Sequence, residues 1–412
     1  MSETIVGLDI GTSTVRAVIG VFTENGELQI TGVGKAPSNG LRNGAIINLE
    51  AAMSSVTDAI EAAEMMAGHE VLSVYTAIGG SQVSSMNSTG VVGVAGNGKG
   101  TQEISQRDIE RVLEAAKSVP IDMARQIIHV IPQTYTIDGQ KGIKSPLGNV
   151  GVRLEAEVHI VTAAVTSIQN LIRCIKRAKF DVEDIRLKTL AAAEAITTEE
   201  ERDLGSIIID LGGGSTDALV ITDGAPVCSV SIPLGGATVT NDISVVRGIS
   251  FESAERIKKS SGCCYEALLD EVEEVIIPGL GGRPPEAITR HDLCSYIQPR
   301  VEEILTMVRD KIGATVKDRK LSGNVILCGG GALLPGIVEV AGEVFDTRNV
   351  RIGIPANFGG LQEEYRAPEY AVAVGLVVAN ANNHGTLQTR KESDKKKKTL
   401  FTAIKGWFKE FV

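Results

Sequence analysis

Two stretches about 200 residues apart repeat one pattern: residues 8–19 read LDIGTSTVRAVI and residues 209–220 read IDLGGGSTDALV. Each ends an apolar strand on an aspartate, Asp9 or Asp210, turns through glycine and small hydroxyl residues, and returns as a second strand. A chain with this echo is expected to fold as two related α/β halves. The turns, Gly11, Thr12 and Ser13 in one and Gly212, Gly213, Gly214, Ser215 and Thr216 in the other, offer backbone N–H groups suited to phosphate oxygens. Asp9 and Asp210 would then face one cleft and could hold the water shell of Mg²⁺, which takes only one or two carboxylates. One such turn alone would be no more than a β-hairpin.

A third element joins them. ILCGGGALLPG at 326–336 leads an apolar strand into Gly329, Gly330 and Gly331, where a planar base or a phosphate could lie against bare backbone. In FESAERIKKSSG, Glu255 and Lys258 stand at i and i+3 of a helix. They either bracket ribose hydroxyls or form an ordinary solvated pair. Residues 93–101, GVAGNGKGT, nearly spell a P-loop, but Gly100 takes the place of the hydroxyl that ligates the metal. That stretch reads as a loop.

Around these motifs the pattern gives strands over 4–36 in hairpin order, then a helix from the N-cap Asn48 to Gly68. Further helices are expected at 105–118, 166–178, 237–246, 251–260, 301–315 and 368–380. Further strands are expected at 71–78, 127–131, 157–163, 205–211, 217–222, 226–232, 324–328 and 349–353.

With 412 residues, 43% hydrophobic and 22% charged, the chain has a folded protein's proportions and length for two to three domains. Its net charge of −10 is uneven: residues 386–412 hold eight Lys/Arg against three Asp/Glu, leaving −15 on the rest. A body so acidic argues against unspecific nucleic-acid binding. The six cysteines form no C-x-x-C pair, the five histidines have no metal spacing, and no G-x-S-x-G elbow appears. A reduced compartment is expected. No basic n-region opens the chain, and the longest apolar run, 370–379, is about half a spanning helix. Neither export nor a membrane span is expected.

The end changes character. After a basic linker, the last fourteen residues hold the only Trp and three of the eight Phe. Leu400, Ile404, Trp407, Phe408 and Phe411 share one helical face, with Phe401 beside them. Such a helix would lie in a membrane interface, with Lys395–Lys398 drawn to anionic lipid, or else dock on its own body.

At these residues the chain resembles the actin-like ATPase superfamily and, within it, the bacterial FtsA cell-division family, over essentially its whole length. The resemblance rests on GLDIGTSTVRAVIG, IIIDLGGGSTDALV, VILCGGGALLPG, HVIPQTYTIDGQKGIKSPLG, GGRPP and the amphipathic end. It implies an actin-like two-lobed α/β fold, duplicated ribonuclease H-like domains with an inserted subdomain 1C and a C-terminal amphipathic helix. Subdomain 1A would comprise 1–83, 164–197 and 362–385; 1C 84–163; 2A 198–226 and 305–361; 2B 227–304. A linker over 386–398 and the helix 399–412 would follow.

The resemblance further implies ATP and Mg²⁺ as cofactors, with catalysis and metal binding through Asp9 and Asp210. It implies self-association into filaments, binding of the FtsZ C-terminal peptide, attachment to the cytoplasmic face of the membrane at the division site, and contact with later division proteins. The peptide would dock on 2B, where charge suggests Arg283, Arg290 and Arg300. Lys188 departs from the pattern: it stands where brisk hydrolysers place an acid or amide to orient the attacking water. At most slow ATP hydrolysis is expected. A small-molecule kinase of the same fold is the alternative, although no second-substrate aspartate stands out. A heat-shock chaperone would need a large C-terminal domain, and only some thirty residues follow the last core helix.

Overall fold

A computed structural model describes residues 4–95, 102–270, 273–279, 281, 284–316, 324–356 and 358–381. Outside the described residues lie Arg283, most of the P-loop-like stretch, the basic linker and the whole C-terminal face of Leu400, Phe401, Ile404, Trp407, Phe408 and Phe411.

The repeated hairpins found two five-stranded sheets of one plan. In the first, Leu28–Pro37, Thr14–Phe22 and Thr4–Ile10 run antiparallel, and Ser73–Ile78 and Asp181–Leu187 continue in parallel. In the second, Ala225–Ile232, Thr216–Thr222 and Ser206–Leu211 run antiparallel, and Val325–Cys328 and Val350–Ile352 continue in parallel. The central strand of each, Thr4–Ile10 and Ser206–Leu211, is buried on both faces past its first residue, which is why both read as unbroken apolar runs.

Helices cover the sheets where apolar spacing leads them. Leu49–Ala67 starts at Asn48, whose side chain accepts from the Ala51 N–H, and stops at Gly68 in the left-handed region. Its inner face, Ala52, Val56, Ala59, Ile60 and Ala63, joins the core of the first sheet. Over the second sheet lies Arg290–Thr315, with Leu293, Ile297, Val301, Ile304, Leu305 and Val308 buried. This helix begins well ahead of the expected 301. Thr289 and Asp292 close a capping box at its start, and the helix carries Pro299 inside it.

Both sheets and their helices belong to one compact unit, made of the chain up to Met86, Ile121–Ile131 and His159–Val378. A second unit holds the described residues of Asn87–Pro120 and Pro132–Val158, with residues 379–381. It includes the helix Gln106–Lys117, capped by Ser105 and Asp108. The strands Val83–Gly93, Arg125–Ile137, Gln140–Ile143 and Arg153–Ala164 form a four-stranded sheet. Val83–Gly93 was not expected, because VSSMNSTGVVG is largely polar and mostly exposed or half-buried, with no apolar alternation to announce a strand.

Candidate functional site

The two hairpin turns close alike: Gly11 N–H donates to the Thr14 carbonyl at 3.1 Å, and Gly212 N–H to the Ser215 carbonyl at 3.0 Å. They also meet. A Cβ at Gly213 would lie 2.1 Å from Ser13 Oγ and one at Gly214 2.9 Å from Asn43 Cα, so bare glycines ease the close approach of the second turn to the first. Thr12 Oγ1 accepts from Gly44 N–H at 3.0 Å. On the other side, Gly236 and Ala237 donate to the carbonyls of Gly212 and Gly213 at 2.9 and 2.8 Å. Each turn is therefore anchored to its own half and pressed against its counterpart.

A cavity of about 1010 Å³ opens where they meet, within the larger unit. Its walls bring together Asp9, Gly11, Thr12, Ser13, Asp210, the run Gly212–Thr216, Glu255, Lys258 and the run Gly329–Gly331. The size is at the upper end for a small-molecule site. Gly329 takes φ +79, and a Cβ there would sit 2.2 Å from Asp210 Oδ1, so a side chain at this position would collide with the carboxylate. Lys258 Nζ pairs with Glu255 at 2.6 Å and donates to the Gly236 carbonyl at 2.9 Å and to Thr240 Oγ1 at 2.8 Å. Thr240 hydroxyl donates to Glu255 as well. The pair is thus tied to the wall of the cavity.

Asp9 and Asp210 are each only 4% exposed. Burial pushes Asp210 up to about 6, against the Lys188 ammonium and with Asp217 and Asp9 adding to the rise. Lys188 Nζ lies 3.2 Å from Asp9 Oδ1. Burial alone would lower the lysine, but Asp9, Asp210 and Asp217 outweigh it and hold the ammonium above the ordinary lysine range. Asp217 accepts from Gly80 N–H at 2.8 Å and from Ser215 Oγ at 2.9 Å, linking the first half to the second turn.

Arg16, which lines the cavity, and Asp217, which accepts from the cavity-lining Ser215, were not singled out from sequence, although the echo held the signal. Asp9 stands opposite Arg16 in its hairpin, and Asp210 opposite Asp217. Directly opposed residues share a face of the sheet, so superposing the copies would have flagged both. Arg16 lines the cavity, held by Glu369 at 3.0 Å and lying over the Tyr370 ring at 5.3 Å.

Of the arginines chosen by charge, Arg290 binds Glu273 and the Ser261 carbonyl, and Arg300 binds Asp242 and Glu303. Neither lines the cavity. Both guanidinium charges already have carboxylates from their own chain.

The donor set fits a hydrated Mg²⁺. Among the described residues no group of three or more His, Cys, Asp or Glu could cage a metal. Asp9 Oδ1, however, is buried and, apart from the Lys188 ammonium 3.2 Å away, receives no hydrogen bond. A buried carboxylate pair with so few hydrogen bonds at Asp9 suits an ion that keeps several waters and shares them with phosphate.

A family model described as cell division protein FtsA matches residues 207–375, and one described as the SHS2 domain inserted in FtsA matches residues 80–162. The cell division protein FtsA of Borreliella burgdorferi is 41% identical over 407 residues, covering 98% of each chain. Among solved structures, the PilM-PilN type IV pilus biogenesis complex aligns with TM-score 0.66 at 17% identity over 92% of this chain and 98% of that one. MreB 5 of Spiroplasma citri bound to AMPPNP aligns with TM-score 0.54 at 16% identity over 94% and 98%. The fold held in common is the actin-like one.

Proposed function

The chain belongs to the FtsA family of cell division proteins, and from that premise we propose that it binds ATP with Mg²⁺ and polymerises on the cytoplasmic face of the membrane. There it anchors the FtsZ ring at the division site and helps recruit later division proteins. The cell-division role follows from family membership. The observation that supports the nucleotide is the meeting of two aspartate turns at one cavity, with a glycine run lining it beside Asp210.

In this reading the turns Gly11–Ser13 and Gly212–Thr216 hold phosphate oxygens through backbone N–H groups and hydroxyls. Gly329–Gly331 lie against the adenosine, and Glu255 and Lys258 take the ribose. Asp9 and Asp210 hold Mg²⁺ through its waters, and the ion supplies positive charge for the triphosphate. Turnover is slow because Lys188 heads the helix Lys188–Ile196 where a water-orienting group would stand. A charged ammonium has three donors and no acceptor, so it cannot take a proton from attacking water. The inserted segment 84–163 is the subdomain 1C of this reading, and 227–304 the subdomain 2B that receives the FtsZ peptide. For 2B the structure offers no free guanidinium at Arg290 or Arg300.

The amphipathic end supplies attachment, since no described helix is long and apolar enough to cross a membrane. The test combines labelled-ATP binding with liposome sedimentation. Wild type should bind both ATP and anionic vesicles, and Trp407→Glu should lose the vesicles while keeping its ATP affinity. A variant that still sediments with lipid removes the tether. Phosphate transfer to an added sugar or acid would instead revive the kinase.

A further inference from the structure

We propose that the Lys188 ammonium is a counter-ion built into the phosphate site, so that this chain holds a nucleoside triphosphate through its β- and γ-phosphate oxygens even without a divalent metal. The inference rests on the nucleotide reading above and goes beyond it by assigning a residue and a metal dependence.

Three observations carry it. First, placement: Lys188 is the first residue of its helix, lines the cavity with both turns, and reaches Asp9 Oδ1 at 3.2 Å. Second, charge: Asp9, Asp210 and Asp217 cluster around this single lysine. A triphosphate entering such a floor needs positive charge already there or carried in with it. A cation fixed among buried groups acts with far less screening than one in water. Third, contact: a Cβ on Gly79 would meet Lys188 Cδ at 2.8 Å, so the lysine stem runs against the bare backbone of Gly79.

A lysine at a helix start is disfavoured, because the N-terminal end of the helix dipole is itself positive. The aspartates offset that cost. They do so while Asp9 Oδ1, apart from this ammonium, receives no hydrogen bond, so Lys188 is held as a charge rather than locked by a full set of bonds. An ammonium has three N–H donors. One directed at Asp9 leaves others for phosphate oxygens in the same cavity.

The test measures affinity of the full chain for a fluorescent ATP analogue by anisotropy, with Mg²⁺ and with EDTA, for wild type, Lys188→Gln and Lys188→Arg. Wild type should lose no more than about tenfold in EDTA, the order of one charge-assisted hydrogen bond. Lys188→Gln should lose well over tenfold in EDTA and recover to within a few-fold of wild type in Mg²⁺, while Lys188→Arg follows wild type. Strict Mg²⁺ dependence in wild type overturns the proposal whether or not the variants fold. So does a Lys188→Gln protein that binds more tightly than wild type in Mg²⁺, which would make the lysine a plug displaced by metal. Failure of wild type to bind in either buffer overturns the nucleotide reading itself, an outcome distinct from the other two.

Discussion

Single residues here act mainly through where burial leaves their charge. His159 is 1% exposed and shares a 2.9 Å bond between its Nε2 and Ser229 Oγ, and burial pushes it down from 6.5 to about 4. The unfolded chain therefore takes up the proton first. The stabilisation is complete above pH 6.5 and is lost as pH falls towards 4, by about 3 kcal/mol over the whole window. Urea midpoints at pH 7 and pH 5 should fall clearly in wild type and less in His159→Gln; parallel losses would place the acid sensitivity elsewhere. Asp9 and Asp210 were legible from sequence because each ends an apolar strand. Lys188 was visible only as a departure from a motif, and its hold on Asp9 depends on a helix and a strand brought together across the fold.

Among the elements, those that carry their own punctuation were readable. The helix Leu49–Ala67 has both its cap and its stop written in sequence, and Asn48 accepts the Ala51 N–H at 3.2 Å as such a cap should. Replacing Asn48 by alanine should cost about 1 kcal/mol, seen as a lower urea midpoint at unchanged slope. A change in slope would mean that more than the helix end had loosened. Elements without that punctuation were harder. The start of Arg290–Thr315 was missed because Pro299 stands inside the helix and most of the residues ahead of it are polar. Asp181–Leu187, an edge strand with four charged residues whose first four positions are all exposed or half-buried, gives almost no apolar signal.

For the whole molecule, the proposed ligand would touch both sheets at once, since the cavity takes walls from the two hairpins and from Gly329–Gly331. At a hundred times its dissociation constant a ligand bound only to the folded state adds about 2.7 kcal/mol. ATP should therefore raise the melting temperature by a few degrees and shift the unfolding of the two halves together. A calorimetric trace in which only one transition moves would mean that the nucleotide sits on one half alone. Two related halves with their aspartate turns facing one cleft were legible from a twelve-residue echo, whereas the close contact of those turns at Gly213 and Ser13 and the outer parallel strand Asp181–Leu187 were not. Their likeness is also incomplete. The copy that ends on Asp9 places an arginine across from it, and the copy that ends on Asp210 places an aspartate. Twin frames with unlike furnishing cannot welcome a guest equally from either direction. Where the two frames repeat one another in backbone, these two positions differ in sign, so a molecule with a charged head and a neutral tail meets two unlike sides.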